Sequence, residues 1–246
     1  MSLILKNPHS VLAALETRPS DVVDVRLPAG KPSSAWADVV ALAKQHEIPI
    51  RTNLAEEPRR PAMEQKFERT GTAQATVRER TGLLIEELFA NAESDPGLWL
   101  ALDCLQDPHN VGAIFRTASF FGIKGIIMTR DRSAPLTATV YDVAAGGLEY
   151  VPFGEPTNLA RAMNVAKTAG IWLLGSSEHA EKDVREIPRD RSWLLILGNE
   201  ELGLRRLSLD KCDHVCKLTS RGTVPSLNVS VAAGVLMAEL TRDALH

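Results

Sequence analysis

Three stretches of this chain gather glycine, amide, hydroxyl and charged residues directly after an apolar run. The first is Asp107-Pro108-His109-Asn110-Val111-Gly112-Ala113-Ile114-Phe115-Arg116, which follows Leu98-Trp99-Leu100-Ala101-Leu102. The second is Gly198-Asn199-Glu200-Glu201-Leu202-Gly203-Leu204, which follows Trp193-Leu194-Leu195-Ile196-Leu197. The third is Ser220-Arg221-Gly222-Thr223-Val224-Pro225-Ser226-Leu227-Asn228, which follows a strand-like segment at 214–218. In open α/β sheets, ligands bind beyond the carboxyl ends of the strands. Amides orient a ligand there, an Arg fork grips an anion, and a carboxylate can orient that Arg. Each residue also has a plain structural reading. Asn110 sits where an N-cap belongs, and Ser226 can cap the last helix. Asn228, in the first turn, is a poor helix former with no evident capping role. Glu200 is an ordinary turn carboxylate unless it pairs an Arg. Gly198 allows a ligand close to the backbone. Arg116 lies about 9 Å along its helix from Asn110, off the Val111, Ile114, Phe115 and Ala118 stripe. It is a solvated Arg, or one that leans back toward the same space.

The elements that must hold these residues follow a strand–helix rhythm from Leu98 onward. Strands are expected at 98–104, 124–129, 148–152, 171–176, 193–197 and 214–218, and helices at 111–121, 137–145, 157–169 and 226–243. Continuous apolar strands belong to a parallel sheet covered on both faces. Residues 1–52 read as a small α/β unit: helix from Pro8 to Leu15, strand over 22–27, helix from Trp36 to Gln45, and a short edge strand at Ile48-Pro49-Ile50. Residues 55–75 are charged and Pro-rich, and 77–92 reads as an amphipathic connecting helix stopped by Asp95-Pro96-Gly97. The resulting division is 1–75, a linker with its helix at 76–96, and 97–246.

Composition sets outer bounds. The chain has 246 residues, 44% hydrophobic and 24% charged, with a net charge of -3. That is ordinary for a soluble protein with a sizeable core. No run reaches the length of a membrane span and no signal peptide is evident, so a cytoplasmic location is expected. Nucleic-acid binding would have to rest on local patches such as Arg59-Arg60 or Arg205-Arg206, because the sum is not basic. Cys104, Cys212 and Cys216 are too few for a disulfide framework. The spacing of Cys212, His214 and Cys216 suits a strand better than a metal site, and no metal is expected. Dinucleotide, nucleoside-triphosphate and nucleophile-elbow loops are absent.

Together, Asn110-x-Gly112-x-x-x-Arg116-x-Ala118, Leu197-Gly198-Asn199-Glu200-x-x-Gly203 and Ser226-Leu227-Asn228-Val229-Ser230-Val231-Ala232 resemble the three motifs of the SpoU-type (TrmH-like) RNA ribose 2'-O-methyltransferases. The resemblance covers about residues 97–246. Asp131-Arg132-Ser133-Ala134-Pro135-Leu136 and Arg205-Arg206-Leu207 point to the bacterial branch that methylates a guanosine of 23S rRNA. What it implies is an α/β fold: a C-terminal parallel-sheet SPOUT domain tied in a deep trefoil knot, with a small N-terminal α/β (L30e-like) substrate-binding domain. It also implies S-adenosylmethionine as cofactor, RNA as substrate, and a homodimer through the C-terminal domain. In that pattern Arg116, Asn110, Glu200, Ser226 and Asn228 are catalytic, and backbone groups at Gly198, Leu218 and Leu227 hold the cofactor. An Arg is a poor general base, so Arg116 is read as gripping a phosphate and stabilising a developing alkoxide; the base role stays open. The chain departs from the pattern at Arg69-Thr70-Gly71, where His-Gln-Gly is usual. It departs again at Leu218-Thr219-Ser220, in place of Ile-Pro-Met, and at Pro225, in place of Ser. A tRNA ribose methyltransferase and a non-catalytic knotted RNA-binding or ribosome-assembly protein remain as alternatives.

Overall fold

The structure, a computed structural model, describes residues 1–30, 32–53, 73–130, 133–199 and 203–242. Strand β1 (Ser2–Leu5) leads into helix α1 (Pro8–Thr17). The Asn7 side chain caps that helix, accepting from the His9 amide at 3.0 Å, and Pro8 presets the first turn. Strand β2 (Val22–Pro28), helix α2 (Ser34–Gln45), strand β3 (Ile50–Asn53) and strand β4 (Gln74–Arg78) complete a four-stranded sheet in the order β1-β4-β2-β3. β3 lies at the edge and begins at Ile50, just after Pro49.

The connecting helix expected over 77–92 does not form. Residues 74–78 are β4, with Ala75 and Val77 buried and Arg78 exposed, and the only helix there is α3 (Ile85–Leu88). The physical reason is long-range. β4 fills the gap between β1 and β2, pairing Leu3 with Val77 and Val25 with Ala75. Satisfying those backbone groups outweighs a local helical stripe. The first sheet therefore runs through Arg78, past the boundary read at residue 75.

The second part opens with β5 (Leu98–Leu102), α4 (Pro108–Phe120), β6 (Gly125–Met128), α5 (Ala138–Ala144) and α6 (Gly147–Tyr150). It continues through β7 (Phe153–Gly154), α7 (Leu159–Thr168), β8 (Trp172–Ser176), β9 (Lys182–Asp183) and β10 (Trp193–Leu197). It ends with α8 (Arg206–Leu209), β11 (His214–Lys217) and α9 (Val229–Thr241). The seven strands lie in the order β7-β6-β5-β10-β8-β11-β9, and every pairing is parallel. The strand expected at 148–152 is instead α6, followed by the two-residue β7. Ala145 and Gly146, at φ 47° and 95°, turn the chain so that it re-enters a helix. Leu148 and Val151 are buried here, as they would need to be in a core strand, so apolar content alone could not tell the two apart.

Side-chain alternation divides the core. Leu98, Leu100 and Leu102 face the α4, α5 and α9 layer, whereas Trp99 and Ala101 face α7. The first of these layers continues into the N-terminal sheet through Leu5, Val25 and Val77, so one core serves both sheets. Among the described residues no helix is long and apolar enough to cross a membrane.

Candidate functional site

β5, β10 and β11 end on the same side of the parallel sheet, and the three motif loops leave from those ends. Asp107 starts α4, its carboxylate accepting from the His109 amide at 2.9 Å, with Pro108 at the first helical position. Asn110 is therefore not the N-cap. It lies inside the first turn, 8% exposed. Its Oδ1 accepts a hydrogen bond from Asn228 Nδ2 at 3.0 Å, across 118 residues of sequence.

Asn228, not Ser226, caps the last helix. Its Oδ1 accepts from the Ser230 amide at 2.9 Å and from the Ser230 hydroxyl at 2.6 Å. One amide thus starts α9 with its oxygen and ties α9 to α4 with its nitrogen. Ser226 and Leu227 stand exposed just ahead of this cap, and Leu218 is half-buried at the end of β11. None of the backbone hydrogen bonds among the described residues ends on Leu218, Ser226 or Leu227. Their amides and carbonyls are open to a ligand.

Gly198 also has a reason within its own loop. A Cβ there would lie 2.3 Å from the Gly203 carbonyl carbon and 2.4 Å from the Leu204 nitrogen. The close approach is made by the chain's own loop, closed further by the Gly203 amide donating to Asn199 O at 2.9 Å. Glu200 lies outside the described residues, as do Arg69-Thr70-Gly71. Arg116 is exposed on α4, and among the described residues no hydrogen bond or ion pair engages it. The structure brings Asn110 to Asn228 and places Leu227 beside them. Arg116 is carried two turns along the same helix, against which α9 packs; a Cβ at Gly234 of α9 would lie 3.6 Å from Thr117 Cγ2 of α4.

The sequence reading missed a latch between the first two loops. The Asp103 carboxylate, fully buried, binds Arg205 at 2.6 and 3.1 Å and accepts from the Ser208 hydroxyl at 2.9 Å. That carboxylate holds the Arg205 guanidinium above its ordinary pKa. The Asp103 amide donates to Leu197 O at 2.8 Å, and Asn199 Nδ2 donates to Cys104 O at 3.2 Å. A charged residue directly after five buried apolar ones was the available signal. Cys216 is buried and His214 packs against Trp193, with centroids 5.6 Å apart, so this segment is core strand.

Residues 97–238 match the family model described as the SpoU rRNA Methylase family. The chain is 35% identical over 237 residues to the 23S rRNA (guanosine-2'-O-)-methyltransferase RlmB of Neisseria meningitidis serogroup B, covering 96% of this chain and 93% of that one. It is also 35% identical over 236 residues to the protein of the same name from Pseudomonas putida, covering 96% and 94%. In fold it is similar to the SpoU methyltransferase AviRb from Streptomyces viridochromogenes in complex with the cofactor AdoMet. The TM-score is 0.79 at 19% identity, over 99% of this chain and 91% of that one. The family match over most of the second part, and the likenesses along nearly the whole chain, lead to one conclusion: this chain belongs to the SpoU rRNA methylase family.

Proposed function

We propose that this protein transfers a methyl group from S-adenosylmethionine to the ribose 2'-hydroxyl of a guanosine in 23S rRNA, acting in the cytoplasm. The observation that carries the reading is the Asn228–Asn110 hydrogen bond, which joins the first and third motif loops at the strand ends of a SpoU-family sheet. Bound S-adenosylmethionine supplies a methyl made electrophilic by its sulfonium. The residues present suit that cofactor: neutral, unengaged backbone groups at Leu218 and Leu227 are the kind of donors and acceptors an adenosine needs.

The chain's own groups do the rest. Gly198, Leu218 and Leu227 hold the cofactor through their backbones. Arg116 grips the phosphate beside the target ribose and stabilises the oxygen as its proton passes to solvent water. Asn110 and Asn228 orient the ribose, Ser226 stands at the entrance to α9, and Glu200 orients Arg116. Alignment of the hydroxyl for in-line attack is the main contribution.

Three structural proposals accompany this one. The N-terminal unit is the RNA-holding, L30e-like part. The C-terminal segment is threaded as a deep trefoil knot; support comes from β10 lying between β5 and β8 while α9 returns from β11 to pack on α4 and β5. The protein is a homodimer through α9, whose exposed Val231 and Val235, with exposed Leu227 just ahead of the helix, offer an apolar surface.

Ribose-methylation mapping of 23S rRNA from a deletion strain tests the function. One guanosine should lose its 2'-O-methyl group and regain it with the wild-type gene but not with Arg116→Lys. The variant should bind S-adenosylmethionine normally and transfer about a hundredfold more slowly, the scale of losing a preorganised donor. Unchanged methylation at every ribosomal site would sink the proposal.

A further inference from the structure

We propose that Arg18, in the N-terminal unit, is a positioning residue for Arg116, acting through Glu149 and the short helix α6 that rests on the α4 backbone. The inference rests on the reading of Arg116 given above. It starts from a buried ion pair between the two parts of the chain. Arg18 Nε and Nη2 each donate to Glu149 at 2.7 Å, a two-pronged contact. The Glu149 side chain is 1% exposed and that of Arg18 12%. Burial alone would lower the Arg18 pKa, but the Glu149 hydrogen bonds and charge outweigh it and hold the guanidinium above its ordinary value. A carboxylate so deeply buried depends on its partner.

Arg18 is itself held. Its Nη1 donates to Arg78 O at 2.6 Å, at the end of β4. Arg80, just beyond, donates from Nη1 to the carbonyls of Leu148 at 2.5 Å and Val151 at 2.8 Å, at the end of α6. Its guanidinium lies 5.3 Å over the Phe153 ring, and its amide donates to the Tyr141 hydroxyl at 2.9 Å. Two arginines, Arg18 within the N-terminal unit and Arg80 just after it, therefore clasp α6, one by its buried acid and one by its carbonyls.

The opposite side of α6 meets the candidate site. Its first residue is Gly147, where a Cβ would lie 2.6 Å from Phe115 O, 2.8 Å from Arg116 Cα and 2.9 Å from Arg116 N. Only a glycine admits this approach. The α6 backbone is thus in direct contact with the turn of α4 that carries Arg116, two residues from Glu149. A shift of α6 cannot occur without moving that turn or opening the contact, because packed interiors transmit strain. Misplacing a group by about 1 Å costs roughly a hundredfold in rate.

The test compares wild type with Arg18→Met, Arg18→Lys, Glu149→Gln and Arg116→Lys. It measures single-turnover methyl transfer to 23S rRNA from a strain lacking the enzyme, S-adenosylmethionine affinity by calorimetry, RNA affinity, and the thermal midpoint. Arg18→Met and Glu149→Gln should each slow transfer by about ten- to a hundredfold while both affinities stay within about twofold of wild type. Arg18→Lys, which keeps the charge without the fork, should fall between. Glu149→Gln keeps the shape of the buried side chain, so it reports even if Arg18→Met folds poorly. Normal transfer by Glu149→Gln beside an impaired Arg116→Lys overturns the inference and leaves the reading of Arg116 standing. A rise in RNA KM at unchanged turnover also overturns it, as does a rate loss that only tracks the unfolded fraction. Near-normal transfer by Arg116→Lys would remove the reading of Arg116 and this inference together.

Discussion

Asn228 is the residue on which two elements meet. Its oxygen caps α9 through Ser230, while its nitrogen donates to Asn110 Oδ1. Sequence reasoning assigned the cap to Ser226 and saw no capping role for Asn228, because a Ser-x-Asn run offers two capping residues and local spacing does not choose between them. Packing of α9 on α4 makes the choice. The two functions can be separated. Asn228→Asp keeps the cap acceptor and loses the donor to Asn110, so the thermal midpoint should stay near wild type while methyl transfer falls. Asn228→Ala loses both, and denaturant unfolding should show a loss of about 1 kcal/mol for the cap alone. Equal transfer by the Asp variant and the wild type would argue that the amide bridge has no part in the reaction.

Among the elements, the loop after β10 shows how far the site depends on contacts distant in sequence. Asp103 and Arg205 flank different motif loops, just before the first and just after the second, and the pair latches the two together. Arg205→Ala leaves the Asp103 carboxylate buried with the Ser208 hydroxyl and the weaker Cys104 thiol as its remaining side-chain donors. The expected cost is about 2 kcal/mol in denaturant unfolding, below that of a fully buried pair because Arg205 is half-exposed. Calorimetry should also show weaker S-adenosylmethionine binding, since the second loop loses its charged tie and keeps only the Asn199 hydrogen bond to Cys104 O. Element types were mostly legible. β5 and β10 read as apolar runs, β11 as an alternating strand and α4 as an apolar stripe, with β6, β8, α5, α7 and α9 following in the same strand–helix rhythm, because burial on a sheet leaves a local pattern. β4 and α6 were misread for a shared reason. An Ala-Thr-Val-Arg segment and a Leu-Glu-Tyr-Val segment fit either period over so few residues, and the neighbour each packs on lies far away in sequence.

For the whole molecule, two outcomes follow. If α9 forms the dimer contact, Val231→Glu should halve the mass seen by sedimentation, and a wild type that sediments as a monomer would remove that proposal. The second outcome concerns pH. Burial pushes the Cys212 and Cys216 thiols up to about 12 from an ordinary value of 9.0. Folding favours their neutral forms more strongly than the unfolded chain does, so this stabilisation is fully present below pH 9 and is lost as pH rises toward 12. Unfolding free energy should therefore decline across that range, and alkylation of the native protein at pH 8 should spare both thiols. Rapid labelling of Cys216 in the native state would contradict its burial.

The amino-acid sequence by itself determined the α/β rhythm, the three motif loops and the family. Those rest on apolar runs and residue spacings, which are properties of short segments. Tertiary structure alone decided which atoms of the motif residues meet. It showed that Asn110 is held by Asn228 rather than capping its own helix, that Gly198 makes room for Gly203, and that the N-terminal unit reaches α4 through Arg18, Glu149 and Gly147. The Asn110–Asn228 and Arg18–Glu149 contacts join residues that chain connectivity leaves far apart. Only the closing of one core over both sheets brings them within hydrogen-bond reach.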